Sequence, residues 1–170
     1  MATFLHPEQE ALAEEIASRL IERNETLAVA EGTAGGLVSA ALLWVPGASR
    51  YFAGGGVLYT LNSRIALAGA HAELFADYRG STPEMIADVA ESLRQRLGAT
   101  WCVAESGLAG PTSGRSGLPP GRTIVGVTGP VTRTEVFQTG IAARAENMVA
   151  FTTIALRYLR DALVEAGSSK

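Results

Sequence analysis

The run Leu27-Ala28-Val29-Ala30-Glu31-Gly32-Thr33-Ala34-Gly35-Gly36, continued without a break by Leu37 to Trp44, is the stretch that most restricts the fold. A short apolar segment enters a turn with three glycines, and a second apolar segment of helical length follows at once. Read physically, this is a buried strand, a tight turn and a helix. The first N–H groups of such a helix face the turn unpaired, at the positive end of the dipole, and suit a phosphate or carboxylate. Glycine lets the backbone approach a ligand closely. The other reading is that small residues here only allow the helix to pack tightly against its strand. No Gly-Lys-Ser/Thr follows, so the turn is not a P-loop.

The flanking sequence extends the pattern. Pro7 to Asn24 reads as an amphipathic helix with Leu12, Ile16 and Leu20 on one side. Tyr51 to Thr60 is a strand candidate interrupted by Gly54-Gly55-Gly56, and Asn62 to Ala70 a short helix. Ser81 and Glu84 are spaced as a capping box ahead of a helix whose stripe is Ile86, Val89, Ala90, Leu93 and Leu97, closed by Gly98. Ala99 to Glu105 is apolar enough for a central strand. Ser106 to Gly121, with five glycines and three prolines, reads as one long functional loop. Thr123–Thr128 and Thr134–Thr139 form a hairpin around Gly129-Pro130, Ala142 to Ala166 a closing helix with Val149, Thr153, Leu156, Leu159 and Leu163 inward, and Gly167 to Lys170 a frayed tail. This order specifies an α/β chain: a single three-layer α/β/α domain over residues 1–170, with a mixed, mostly parallel sheet.

Composition narrows the partners. A net charge of -3 with scattered basic residues offers no footprint for nucleic acid or a membrane surface. The N-terminus is no signal peptide, and no apolar stretch reaches the ~18 residues of a span. Cys102 is alone, so no disulfide forms within the chain, and the cytoplasm is the expected compartment. Cys102 reads as a buried strand residue, and Trp44 and Trp101 as core. Asp88, Glu91 and Arg94 read as surface charge, and His6 and His71 as exposed or packing residues. Glu73 and Asp77 lack partners at ligand spacing, so no metal site and no cofactor is implied.

Several segments together resemble the C-terminal domain of the competence-damage-inducible protein CinA, a family that includes nicotinamide-nucleotide amidases. Ala30 to Gly36 resembles the family's Ala-Glu-Ser-Cys-Thr-Gly-Gly, and Val45-Pro46-Gly47-Ala48-Ser49 its Ile-Pro-Gly-Ser/Ala-Ser. Gly56-Val57-Leu58-Tyr59 sits at the family's Tyr-Ser-Asn-x-x-Lys strand end, and Ser106-Gly107-Leu108-Ala109-Gly110-Pro111 is similar to Ser-Gly-Ile-Ala-Gly-Pro. Pro119 and Gly121 keep step with Lys-Pro-Val-Gly, and Arg144 falls where a Gly-Asp-Arg arginine precedes the last helix. The resemblance spans Leu27 to Leu156 and implies the family's layered fold. It also implies the stand-alone form, since the chain has no room for the family's molybdopterin-like domain. Homo-oligomers are common in the family, so a homo-oligomer is expected.

The departures bear on mechanism. The resemblance assigns the motif serine as nucleophile and the lysine as its base, but Gly32 and Arg64 stand at those positions. Glycine has no side chain, and arginine does not deprotonate in a protein. Thr60 and Leu61 replace the family's Ser-Asn, while Tyr59 remains. Losing both halves of the pair points to an impaired amidase that retains a pocket for a small phosphorylated ligand or nucleotide. Glu31, Gly32, Gly35, Gly36, Ser106, Gly107, Gly110, Pro111 and Arg144 are its candidate binding residues, with Glu31 read either as a ligand contact or as a cap for the turn. The alternative is altered hydrolase chemistry, with Thr33 or Tyr59 supplying the hydroxyl and Arg64 electrostatic support. A third reading is an oligomerising or regulatory protein without a small ligand.

Overall fold

Four apolar residues and one glutamate, Leu27–Glu31, form strand β1, and all five are buried. A strand buried on both faces needs neighbours on both edges and layers above and below. β2 (Phe52–Val57) and β3 (Trp101–Leu108) flank it in parallel, with Val29 opposite Gly55 on one side and Val103 on the other. β4 (Arg122–Thr128) runs antiparallel to β3, and β5 (Arg133–Gln138) antiparallel to β4. The order is β2-β1-β3-β4-β5, so four strands share one direction and only β4 is reversed. The computed structural model describes residues 3–168.

Side-chain alternation along the strands builds two cores. Leu27, Val29, Trp101, Val103, Val125 and Val127 pack with α1 (Pro7–Arg23), α2 (Leu37–Trp44) and α5 (Arg144–Ser168). Ala28, Ala30, Cys102, Ala104 and Ile124 face the opposite layer, where α4 (Pro83–Leu97) contributes Ile86, Val89, Ala90 and Leu93. The sheet is lined with small residues on this side, which brings α4 close. A Cβ on Gly126 would lie 3.3 Å from Ile86 Cγ2. The three-layer α/β/α arrangement expected from the sequence is therefore the observed one. Among the described residues no helix is long and apolar enough to cross a membrane.

Several boundaries differ from the expected ones, each for a local reason. β2 stops at Val57; Tyr51 is buried before it, its hydroxyl donating to the Leu42 carbonyl, and Thr60 caps the next turn. The expected helix over Asn62 to Ala70 is a short α-turn, α3 (Leu61–Ser63), that continues into a π-wound turn, Arg64–Ala68. Thr82, not Ser81, caps α4, accepting from Met85 N at 3.3 Å, so the Ser81–Glu84 box does not form. β3 runs on through Ser106, Gly107 and Leu108, which pair with Ile124, Thr123 and Arg122 rather than opening the loop. The inner side of α5 is Phe151, Thr152, Ala155, Leu156, Leu159 and Leu163, with Val149 and Thr153 turned partly outward. Gly167 and Ser168 belong to that helix, and the remainder of the expected tail, Ser169 and Lys170, lies outside the described residues.

The glycines of β2 differ sharply in what surrounds them. A Cβ on Gly55 would lie 2.3 Å from the Val29 carbonyl oxygen, inside the β1–β2 ladder, whereas one on Gly56 would meet only Leu58 Cδ2 at 3.5 Å. Gly55→Ala is expected to destabilise the protein by about 2 kcal/mol or more by prising β2 from β1, with Gly56→Ala nearly neutral. Urea-unfolding midpoints of the two variants check this.

Candidate functional site

The turn after β1 is held by two glutamates. Glu31 accepts from the backbone N–H groups of Gly36, Val38 and Ser39 at 3.1, 2.8 and 2.8 Å, which fills the N-terminus of α2 with the chain's own carboxylate. Of the two readings of Glu31, the cap is the arrangement observed, and the start of α2 is not open to an external anion. Glu105 sits beside it in register on β3 and is 3% exposed. It accepts from Ala34 N at 2.8 Å, Gly32 N at 3.4 Å and Thr123 Oγ1 at 2.8 Å, and from the Thr33 hydroxyl in a short bond. Burial pushes the Glu105 carboxyl above the ordinary carboxylate range, against the pull of these four donors.

A pocket of about 580 Å³ opens beyond the carboxyl ends of β1, β2 and β3. Open α/β sheets place ligands in this position. Arg64, Arg79, Arg115 and Arg122 line it, and no aspartate or glutamate does. Arg64 is 4% exposed, yet its partners are all neutral. Its Nε donates to the Leu58 carbonyl at 3.2 Å, Nη1 to Ser81 Oγ at 3.2 Å and Nη2 to Ser106 Oγ at 2.7 Å. The Tyr78 ring lies 5.9 Å from the guanidinium carbon. No described carboxylate forms an ion pair with Arg64. A buried charge without a counter-charge is costly.

Of the residues singled out from sequence, Thr33, Tyr59, Arg64, Ser106 and Gly107 line this pocket. Gly32, Gly35 and Gly36 lie in the turn behind it. A Cβ on Gly32 would meet Ser106 Oγ and the Glu105 carbonyl oxygen, each at 3.1 Å, so the Ser106 hydroxyl crowds the space beside that position. Gly110 and Pro111 are not among the lining residues; the Gly110 carbonyl accepts from Arg144 Nη1 at 3.1 Å. Arg144 is exposed and reaches Tyr59 Oη at 3.1 Å, tying the end of β2 to the loop after β3.

Sequence reasoning missed Glu105, Ser81, Tyr78 and the arginines at 79, 115 and 122. A signal for the arginines was present: Arg79-Gly80, Gly114-Arg115 and Gly121-Arg122 each place an arginine beside a glycine in a turn region. The remaining readings are also placed. Cys102 is fully buried on β3, and burial pushes its thiol far above the usual range. Trp101 is buried, its Nε1 donating to Glu25 at 2.7 Å. Asp88 accepts from His71 N at 2.8 Å and contacts its ring nitrogen at 2.5 Å, and Glu91 pairs with Arg94 at 2.7 Å, so these three are partnered rather than free surface charges. Asn147 is buried in α5 and donates to the Ala109 and Ile141 carbonyls at 2.8 Å, anchoring both loops behind the pocket. Glu31→Ala removes three charge-assisted bonds from the start of α2 and is expected to cost about 2 kcal/mol or more. For a chain of this size that is a fall in melting temperature of roughly 4 °C or more, readable by calorimetry.

The model of the CinA C-terminal domain matches residues 9–163 of the chain. A CinA-like protein of Prochlorococcus marinus is 40% identical over 123 residues, covering 72% of this chain and 29% of its own length. One from Desulfosudis oleivorans is 32% identical over 155 residues, covering 91% of this chain and 38% of its own. The chain thus spans about a third of the length of these curated relatives. Among solved structures, a CinA superfamily protein from Klebsiella pneumoniae superposes with a TM-score of 0.86 at 22% identity, covering 92% of this chain and 98% of that one. The competence/damage-inducible protein CihA from Agrobacterium tumefaciens gives 0.85 at 24% identity, with coverage of 95% and 99%. The family model covers most of the chain and both relatives are more than 30% identical over more than two thirds of it, so the chain belongs to the CinA C-terminal domain family.

Proposed function

We propose that this domain binds a small phosphorylated ligand or nucleotide in the arginine-lined pocket and has lost the serine–lysine amidase chemistry of nicotinamide-nucleotide amidases. The observation that carries the binding half is Arg64, buried with neutral partners only and facing a pocket with three further arginines. Guanidinium groups offer planar donor pairs that match phosphate and carboxylate oxygens. The chemical half rests on position 32, which has no side chain, and on position 64, whose guanidinium cannot take up a proton. Ser106 does not restore the missing pair: its hydroxyl is held by Arg64 and lies 3.1 Å from Ser81 Oγ, with no base among these partners.

Nicotinamide mononucleotide and inorganic phosphate are both expected to raise the melting temperature. A ligand at ~100 times its dissociation constant adds about 2.7 kcal/mol, which for a chain of this length is roughly 5–10 °C. Arg122→Ala is expected to weaken the shift at a given ligand concentration. Ammonia release from nicotinamide mononucleotide is expected to be absent in the wild type. Calorimetric melts and an ammonia assay check these outcomes; an unchanged melting temperature with both ligands overturns the binding reading, and ammonia release overturns the chemical one.

A further inference from the structure

We propose that Thr33 and Glu105 form a nucleophile–base pair at the wall of this pocket, serving acyl transfer from small acyl donors whose leaving group is anionic, such as acyl phosphates. The proposal rests on the anion-binding reading of the pocket and adds a reaction to it. Thr33 lines the pocket, and its hydroxyl donates to Glu105 Oε1. Thr33 Oγ1 also accepts from Gly107 N at 2.9 Å. A hydroxyl has two lone pairs, so one is left for a carbonyl carbon. A hydroxyl held by a base that other groups orient is the arrangement covalent catalysis requires. Here the orienting groups are Thr123 Oγ1 on Oε1 and Ala34 N and Gly32 N on Oε2. Glu105 is buried, and burial raises its proton affinity above that of a solvated carboxylate.

The leaving group follows from the charge of the lining. Four arginines with no carboxylate among them favour a leaving group that departs as an anion, which a plain amide does not supply. An acyl phosphate supplies such a group, and the arginines are placed to receive its phosphate. In the forward step Thr33 Oγ1 bonds to the carbonyl carbon and its proton passes to Glu105 Oε1. The bond from that carbon to the phosphate oxygen then breaks, and the phosphate departs with the proton from Glu105. Water next attacks the carbonyl carbon of the threonyl ester, giving a proton to Glu105; the bond from that carbon to Thr33 Oγ1 breaks, Oγ1 takes the proton back from Glu105, and the carboxylic acid is released. The net change is acyl phosphate plus water to carboxylic acid plus phosphate.

Acetyl phosphate is the probe. The chain has a single lysine, Lys170, so background acetylation is low and peptide mapping is unambiguous. The wild type is expected to release phosphate from acetyl phosphate and to carry an acetyl group on the Thr33 peptide in a rapid acid quench. Thr33→Ala should lower turnover ~100-fold or more and lose the adduct, while Thr33→Ser retains both. The melting shift with inorganic phosphate, run on each variant, separates the two readings. Turnover in Thr33→Ala equal to wild type, or an adduct on any other residue, overturns the pair. Absence of wild-type turnover while phosphate still stabilises the protein overturns it alone, and loss of that stabilisation in the wild type overturns the pocket reading. Glu105→Gln, checked for folding by circular dichroism, is expected to bind phosphate but to form no adduct; an adduct in that variant excludes Glu105 as the base.

Discussion

Two carboxylates on neighbouring strands, Glu31 and Glu105, stand opposite one another in register at the ends of β1 and β3, both buried. Buried carboxyl groups side by side are tolerated only when each is surrounded by hydrogen-bond partners. The glycine turn supplies them. Three N–H groups from Gly36, Val38 and Ser39 converge on Glu31, and the N–H groups of Gly32 and Ala34 with the hydroxyls of Thr33 and Thr123 converge on Glu105. The turn is therefore folded around two acceptor side chains the chain provides for itself. Its shape, the direction of α2 and the placement of Thr33 at the pocket wall follow from that.

This arrangement also leaves no free helix end in the turn for the phosphate that the glycines suggested. A helix N-terminus attracts one anion, and Glu31 is already there. The positive charge beside the pocket is carried instead by arginines of other segments. Arg64 opens the π-wound turn, and π-bulges recur at functional sites because they re-aim a side chain within a helix. Arg122 begins β4 and donates to the Ser81 carbonyl at 3.3 Å, closing the pocket wall against the segment before α4.

The layers were legible because hydrophobic periodicity survives in a single sequence. Ile86, Val89, Ala90 and Leu93 repeat at helical spacing, and the runs at β1 and β3 are apolar on both faces. The lining of the pocket was legible where a strand end met a loop, as at Thr33, Tyr59 and Ser106. Glu105 was not, because nothing local distinguishes a strand-ending glutamate from a surface charge; its partner Thr33 lies 72 residues away and is found only through the β1–β3 register. Ser81 was misread for a related reason. Its spacing to Glu84 fits a cap, but Thr82 takes that role and leaves the Ser81 hydroxyl to Arg64, Tyr78 and Ser106.

The pocket's positive charge comes wholly from guanidinium groups, with no histidine, lysine, aspartate or glutamate among the lining residues. Arginine stays protonated across the physiological pH range. The electrostatic potential of the lining is then fixed, as it would be in a cavity bearing permanent ions. The lining side chains therefore leave the ionisation of the ligand itself as the direct route by which acidity alters their attraction for it. A phosphate monoester, whose second proton leaves near pH 6, would be held more tightly as its surroundings turn alkaline, and the pocket would discriminate between ligands by their charge state as well as by their shape.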